Sequence, residues 1–223
     1  EMAYHEKYDL LFKQLSQNEK IIIFGSTYIN HTNVTKIYVN GNLKEVVKRY
    51  PCGSEPMIRF CDKISFEEFN RLYLKEHEFT IKNKKIYVLN CLEYYQTAYM
   101  IARDEALSNN LFGFIVPCSN SNPTVFLEES KAIHNHNENI YSFVCNRIKE
   151  DGLTGYGKSY IFGPIQYHEK DWLKEEGINS DKHNSNILIL DNKTPSYSFG
   201  YYAFGDNISR FGRSDNYLNT PLN

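Results

Sequence analysis

The sequence predicts an α+β fold with a mainly antiparallel sheet, a central helix at about 91–109 and several short helices. Three observations lead there. Lys84 to Val116 reads as strand, helix and strand. Val34 to Val47 places two alternating runs around Asn40-Gly41, the dipeptide that best tolerates the two positive φ angles of a type I′ hairpin. The second half of the chain is a series of short apolar or aromatic runs separated by turn residues.

Taken in order, Tyr4 to Gln17 has a helical apolar face of Leu10, Leu11, Phe12 and Leu15. Lys20 to Asn30 is an isoleucine-rich strand, followed by the 34–47 hairpin. Ser65 to Lys75 is a helix with a capping box, Ser65 and Glu68. The central helix carries Leu92, Tyr95, Tyr99, Ala102 and Ala106 at three- and four-residue steps. Asn90 is its expected N-cap and Glu93 completes the box, so Cys91 is the expected first helical residue. Pro123 opens a short helix to about Ile133. Asn139 to Ile148 and Ser159 to Ile165 are strands. Asn186 to Leu190 and Tyr197 to Phe204 are expected to pair as a hairpin about Thr194-Pro195, and the tail from Asn207 as a surface loop. No linker or repeat interrupts the chain, so residues 1–223 are expected to form one domain.

Composition narrows the function. The formal charge of −2 argues against a dedicated nucleic-acid binder. No apolar run approaches the ~20 residues that span a bilayer. No signal peptide is expected from the first residues. Five cysteines, an odd number with none in CxxC spacing, argue against a zinc ribbon or a disulfide framework and favour a reducing, cytoplasmic compartment.

The chemistry the chain offers centres on Cys91. A thiol at a helix start sits in the positive end of the helix dipole, which favours thiolate. The stretch NCLEYYQTAYMIAR, with the later segment HNSNILILDNKTPSYSFGYYAFGD, resembles the papain-like and transglutaminase-like cysteine enzymes. The resemblance implies a cysteine nucleophile served by His and Asp on antiparallel strands. Geometry selects the partners. His183 and Asp191 lie at opposite ends of one strand, about 26 Å apart. Across the expected hairpin, His183 faces Asp206, and neighbouring strands are about 5 Å apart. Cys91 would attack a carbonyl, His183 would carry the proton and Asp206 would hold the imidazole, with the Cys91 N–H helping to stabilise the oxyanion. The substrate would be an amide or ester, with a protein or peptide compatible, and no cofactor is needed.

Two alternatives stand beside this reading. His134 and His136 have strand spacing, and a turn at Asp151-Gly152 would bring His168 and Glu169 opposite them. Three histidines and a carboxylate suit a divalent transition metal, as in cupin-like sites. A non-enzymatic role is the other, with the aromatic, glycine-rich segment Tyr197 to Phe211 as a partner-binding surface.

Overall fold

The computed structural model describes residues 9–17, 21–29, 32–50, 65–81, 83–120, 122, 124–146, 159–163, 187–190, 200–203 and 210–213. Helix α1 (Asp9–Leu15) precedes an antiparallel three-stranded sheet of β1 (Ile21–Ile29), β2 (Thr32–Val39) and β3 (Asn42–Val47). The hairpin forms as its sequence dictates. Val39 pairs with Asn42, and Asn40 and Gly41 turn at φ 49° and 79°. Then follow α2 (Phe66–Leu72), α3 (Leu74–His77), β4 (Glu78–Ile81), β5 (Lys84–Val88), α4 (Leu92–Arg103), α5 (Glu105–Ser108), β6 (Leu111–Cys118), α6 (Thr124–His136), β7 (Tyr141–Asn146), β8 (Ser159–Phe162) and β9 (Ile187–Leu190). Strands β4 to β9 make one sheet in sequence order. Its centre, β5–β6–β7, is parallel, and the flanking pairs are antiparallel. Strands β10 (Gly200–Ala203) and β11 (Arg210–Arg213) pair with each other.

The fold is therefore α+β with antiparallel ladders predominating, around a parallel core. The reason lies in the connections. Parallel neighbours need a long crossover, and α4–α5 and α6 supply the two that are needed. Ser65 caps α2 as its sequence predicts, accepting from the Glu68 N–H at 3.1 Å. The central helix is broken where one had been expected. Asp104 leaves helical geometry and its carboxylate accepts from the N–H groups of Ala106 and Leu107, starting α5.

Side-chain alternation on β5 and β6 fixes the layers. Tyr87, Leu89, Phe114 and Val116 face α4 and α6, where they pack with Tyr94, Ala98, Ile101, Phe126 and Ile133. Val88 faces the other way and packs with Phe79 against Ile37 and Val46 of the small sheet, with Ile115 alongside. The core is thus two apolar layers separated by one sheet. A buried hydroxyl network crosses the helical layer. The Tyr94 hydroxyl lies 2.8 Å from both Ser130 and Ser142 Oγ, and Ser130 Oγ lies 3.1 Å from the Tyr160 hydroxyl.

Gly113 is the tightest point of the parallel core. It is paired with Tyr141, and a Cβ there would run into the Tyr141 carbonyl, which the ladder holds in place. Gly113→Ala is expected to destabilise the protein by about 3 kcal/mol, at the upper end of overpacking effects. A lowered urea midpoint with an unchanged slope would show it.

Several expectations are corrected. Strand β9 pairs with β8, and β10 pairs with β11 across residues expected to be a loop. A ladder between β9 and β10 is not among the pairings of the described residues, and His183 and Asp206 themselves lie outside those residues. Residues 134–136 are not a strand either. They end α6, whose buried stripe of Phe126, Ser130 and Ile133 continues the helix through the polar His-Asn-His segment.

Candidate functional site

The parallel strands β5, β6 and β7 all end at one edge of the large sheet, and Cys91 lies there. In open α/β sheets this carboxyl edge is where ligands bind. The ladder continues past β5. Leu89 N–H donates to Ile115 O and Cys91 N–H donates to Pro117 O, both at 3.0 Å. The chain then turns sharply into α4. Cys91 occupies the N-cap position at φ 50° and ψ −108°. Among the described residues, four non-glycine residues have positive φ. Three are asparagines, for which this is common, and the fourth is Cys91. Such a conformation costs of order 1–3 kcal/mol and persists only where the surroundings impose it.

The surroundings that impose it can be named. Glu93 is fully buried, and its carboxylate accepts the Asn90 N–H at 2.9 Å and also the N–H of Arg49, which follows β3. Thr35 of β2 donates its hydroxyl to Asn90 Oδ1. His77 donates Nδ1–H to Val88 O at 2.8 Å, and the same nitrogen is 3.9 Å from Glu93 Oε2. That bond places the ring proton on Nδ1. Among the described residues, His77 Nε2 and Asn90 Nδ2, both buried, have no hydrogen-bond partner. The turn is thus gripped from β2, the end of β3, α3 and β6.

This differs from the expected cap. Asn90 does not cap α4, because Thr35 already holds its side-chain oxygen. Only the second half of the capping box forms, Glu93 reaching back to the Asn90 N–H. Two consequences follow for chemistry. The Cys91 N–H is engaged by Pro117 and cannot serve an oxyanion, which corrects the sequence reading. The next N–H, that of Leu92, is the first of the helix's orphan donors. A backbone N–H directly after a nucleophile is the donor that strand–turn–helix elbows use.

The layer between the two sheets turns polar beneath this turn. Along β2 the inward positions run Val39, Ile37, Thr35 and then Asn33. Along β3 they run Lys44, Val46 and then Lys48. Asn33, Thr35 and Lys48 are all within 1% exposure, and the Lys48 N–H donates to Asn33 O at 2.9 Å. A buried lysine is retained only where polar groups meet its side-chain nitrogen. Tyr50, its ring tilted against that of Phe69 at 5.2 Å, has its hydroxyl pushed up to about 12 by burial and then by the Glu93 charge, so it stays neutral at physiological pH.

The thiol of Cys91 is half-buried on the helical side of the sheet, where it packs against the larger core cluster. Residues His183 and Asp206 lie outside the described residues. So does His168 of the metal alternative. His134 and His136 are corrected on geometry. Two positions apart on a helix, their side chains diverge by about 200° rather than aligning. The His134 ring packs edge-on to Phe162 at 5.4 Å and that of His136 to Tyr99 at 6.2 Å. Burial pushes the His134 imidazole down. Both line an open groove of about 760 Å³ with Arg103, Glu105 and Glu138. Among the described residues, no group of three or more His, Cys, Asp or Glu could hold a metal ion.

Sequence reasoning passed over Lys48, Thr35 and Asn146. A signal existed for Lys48. It shares parity with Val46 in a hairpin whose inward face is otherwise read from its valines. Among the described residues, no helix is long and apolar enough to cross a membrane.

No protein-family model matches the chain, and no curated protein matches it. Among solved structures the chain is similar to the crystal structure of Saccharomyces cerevisiae Nit3, a member of branch 10 of the nitrilase superfamily. The TM-score is 0.47 at 16% identity, over 74% of this chain and 60% of that one. The chain thus spans about 60% of the length of that protein. No residue here takes its role from the likeness.

Proposed function

We propose that the protein is a cysteine-nucleophile hydrolase or acyl transferase acting on an amide or ester, with Cys91 as nucleophile. One observation carries the reading. Cys91 is held at positive φ in a strand-to-helix turn that Glu93, Asn90 and Pro117 over-determine. A strained elbow of that kind presents a nucleophile at the edge of a sheet, with a helix N-terminus behind it.

The steps follow from those positions. The Cys91 thiolate attacks the carbonyl carbon, and the electron pair of the C=O moves to oxygen. The Leu92 N–H stabilises that oxyanion. Collapse expels the leaving amine or alcohol, which takes a proton from the general acid, and leaves a thioester on Cys91. Water, or an acceptor nucleophile in the transferase case, then releases the acyl group. The chemistry needs no metal or cofactor.

The proton carrier is the open role. His183, oriented by Asp206, stays in the proposal on triad logic. Lys48 is a second candidate, because it is buried beside Arg49, whose N–H holds Glu93. Burst kinetics with p-nitrophenyl acetate test the whole reading. One equivalent of nitrophenolate should appear rapidly, and mass spectrometry should find acetyl on Cys91. Acetyl scattered over surface lysines, with no burst, would sink it. Comparing His183→Ala with Lys48→Met in the same assay separates the two bases, since the true one should slow acylation by about 10²-fold or more.

A further inference from the structure

The ladder that aligns Cys91 continues across the sheet. Cys118 pairs with Asn146 on β7, and Val88 with Ile115 on β6. Counting three residues on from the second pair, as the Cys91–Pro117 bond requires, sets Cys91 beside Cys118. Residues 91, 118 and 146 therefore form one row across the carboxyl ends of the three parallel strands. The first is the proposed nucleophile. The last makes an unusual set of bonds.

Asn146 is 5% exposed, and both ends of its carboxamide are engaged by the chain that leaves β6. Its Oδ1 accepts from the Asn120 N–H at 2.9 Å and from the Cys118 thiol at 3.4 Å, and its Nδ2 donates to Asn120 O at 2.9 Å. The side chain thus pairs with Asn120 as another strand's peptide would. Its own N–H donates to Ser159 Oγ at 3.0 Å, which anchors it to β8. The order is passed on. Asn120 Oδ1 accepts from the Asn122 N–H at 2.7 Å, and Asn122 Oδ1 accepts from the Thr124 N–H at the start of α6. Without the Asn146 carboxamide, Asn120 would lose both of these bonds and Cys118 its thiol acceptor, and Pro117 O, next in the chain, is the group that engages the Cys91 N–H.

We propose that Asn146 is a positioning residue of the Cys91 site, holding Cys118–Asn120 against the Cys91 turn so that this segment forms a fixed wall beside the thiol. The proposal rests on Cys91 being the nucleophile. Asn146 touches no reacting atom. It acts through the backbone of residues 117–120.

Asn146→Asp gives a test that a general loss of packing would not mimic. The replacement is isosteric. Ionised, it sets a carboxylate oxygen against Asn120 O, and protonated it restores a donor there. Burial raises the pKa of a carboxyl group, so acid should rescue the variant. The probe is p-nitrophenyl acetate, read as the burst rate on Cys91 and divided by the wild-type rate at the same pH. The expected ratio is near one at about pH 5 and about tenfold lower at pH 7, the cost of one mispaired buried group. Asn146→Ser, which loses the bonds without adding charge, should be about tenfold slow at both pH values. It also carries the test if Asn146→Asp does not fold. Hydrogen exchange should rise at residues 118–122 and stay unchanged in α4. If both variants follow the wild type, Asn146 is not a positioning residue and the role of Cys91 stands. Loss that is equal at both pH values in Asn146→Asp, with α4 deprotected, means general unfolding and also overturns the proposal. If the wild-type protein acquires no acetyl on Cys91, the nucleophile reading fails and this inference fails with it.

Discussion

Cys91→Gly is expected to abolish acylation and to make the protein more stable. The two effects have one cause. The turn holds residue 91 at φ 50°, a conformation glycine adopts freely and cysteine does not. Removing Cβ relieves that strain, which is worth about 1 kcal/mol after the glycine's extra unfolded-state entropy is subtracted. In a chain of this size that is a rise of roughly 2–4 °C in Tm. Removing the sulfur takes away the nucleophile, so the burst on p-nitrophenyl acetate should fall by on the order of 10⁴-fold or to the detection limit. Cys91→Ala should lose the same activity without the gain in stability. A residue kept at a cost to stability, whose relief destroys activity, is what a functional elbow predicts. If Cys91→Gly is neutral or destabilising, the turn is not strained in the way its dihedrals imply.

Glu93→Ala is expected to have the largest effect on stability. Its carboxylate is fully buried and accepts two backbone N–H groups, from Asn90 and Arg49. Truncation takes this acceptor from the buried Asn90 N–H and the part-buried Arg49 N–H, a loss of roughly 3–5 kcal/mol. The harm should not be confined to folding. Arg49 belongs to the end of the small-sheet hairpin and Asn90 to the Cys91 turn, so Glu93 joins the two sheets at the site. Under conditions where the variant is still folded, its Cys91 should be acylated more slowly than in wild type. Urea unfolding and burst kinetics on the same preparation would measure both. A variant that loses stability but keeps the wild-type burst would show that Glu93 supports the fold and not the turn.

The parts of this arrangement that were legible in sequence are those written in local pattern. The 34–47 hairpin is set by Asn40-Gly41 and alternation. The strand–helix–strand unit is set by two apolar runs around a helical stripe, and its short αβ and βα connections leave little freedom. These placed Cys91 at a helix start. What the sequence could not show were the bonds that arrive from far along the chain. Thr35, 55 residues before Asn90, takes the oxygen that would have capped α4, and this moves the helix start by one residue. That shift decides which N–H faces an oxyanion. Arg49 reaches Glu93 across 44 residues, and Asn146 reaches Asn120 across 26. The misreading of His134 and His136 has a different origin. Polar composition suggested a break, but helix α6 is held by Phe126, Ser130 and Ile133, and the last two histidines follow because nothing ends the helix before them. In the C-terminal third, a turn signal at Pro195 suggested pairing of neighbours. Strand β9 instead extends the large sheet beside β8, where edge groups were available to it.

Differential alkylation shows whether Cys91 carries an activated thiol. Iodoacetamide, with mass spectrometry reading each cysteine in the native protein, compares Cys91 with Cys118, which is buried and bonded to Asn146, and with the exposed Cys145. Accessibility alone would put Cys145 first of the three, but burial of its sulfur pushes that thiol up, so the rates are compared at several pH values and not at one. A thiol activated by the helix N-terminus should instead put Cys91 first, by on the order of tenfold over Cys145 and far more over Cys118. The advantage should disappear in urea. If Cys91 reacts only after unfolding, or no faster than Cys145, it is a core residue in a strained turn and the proposed enzyme has no nucleophile there.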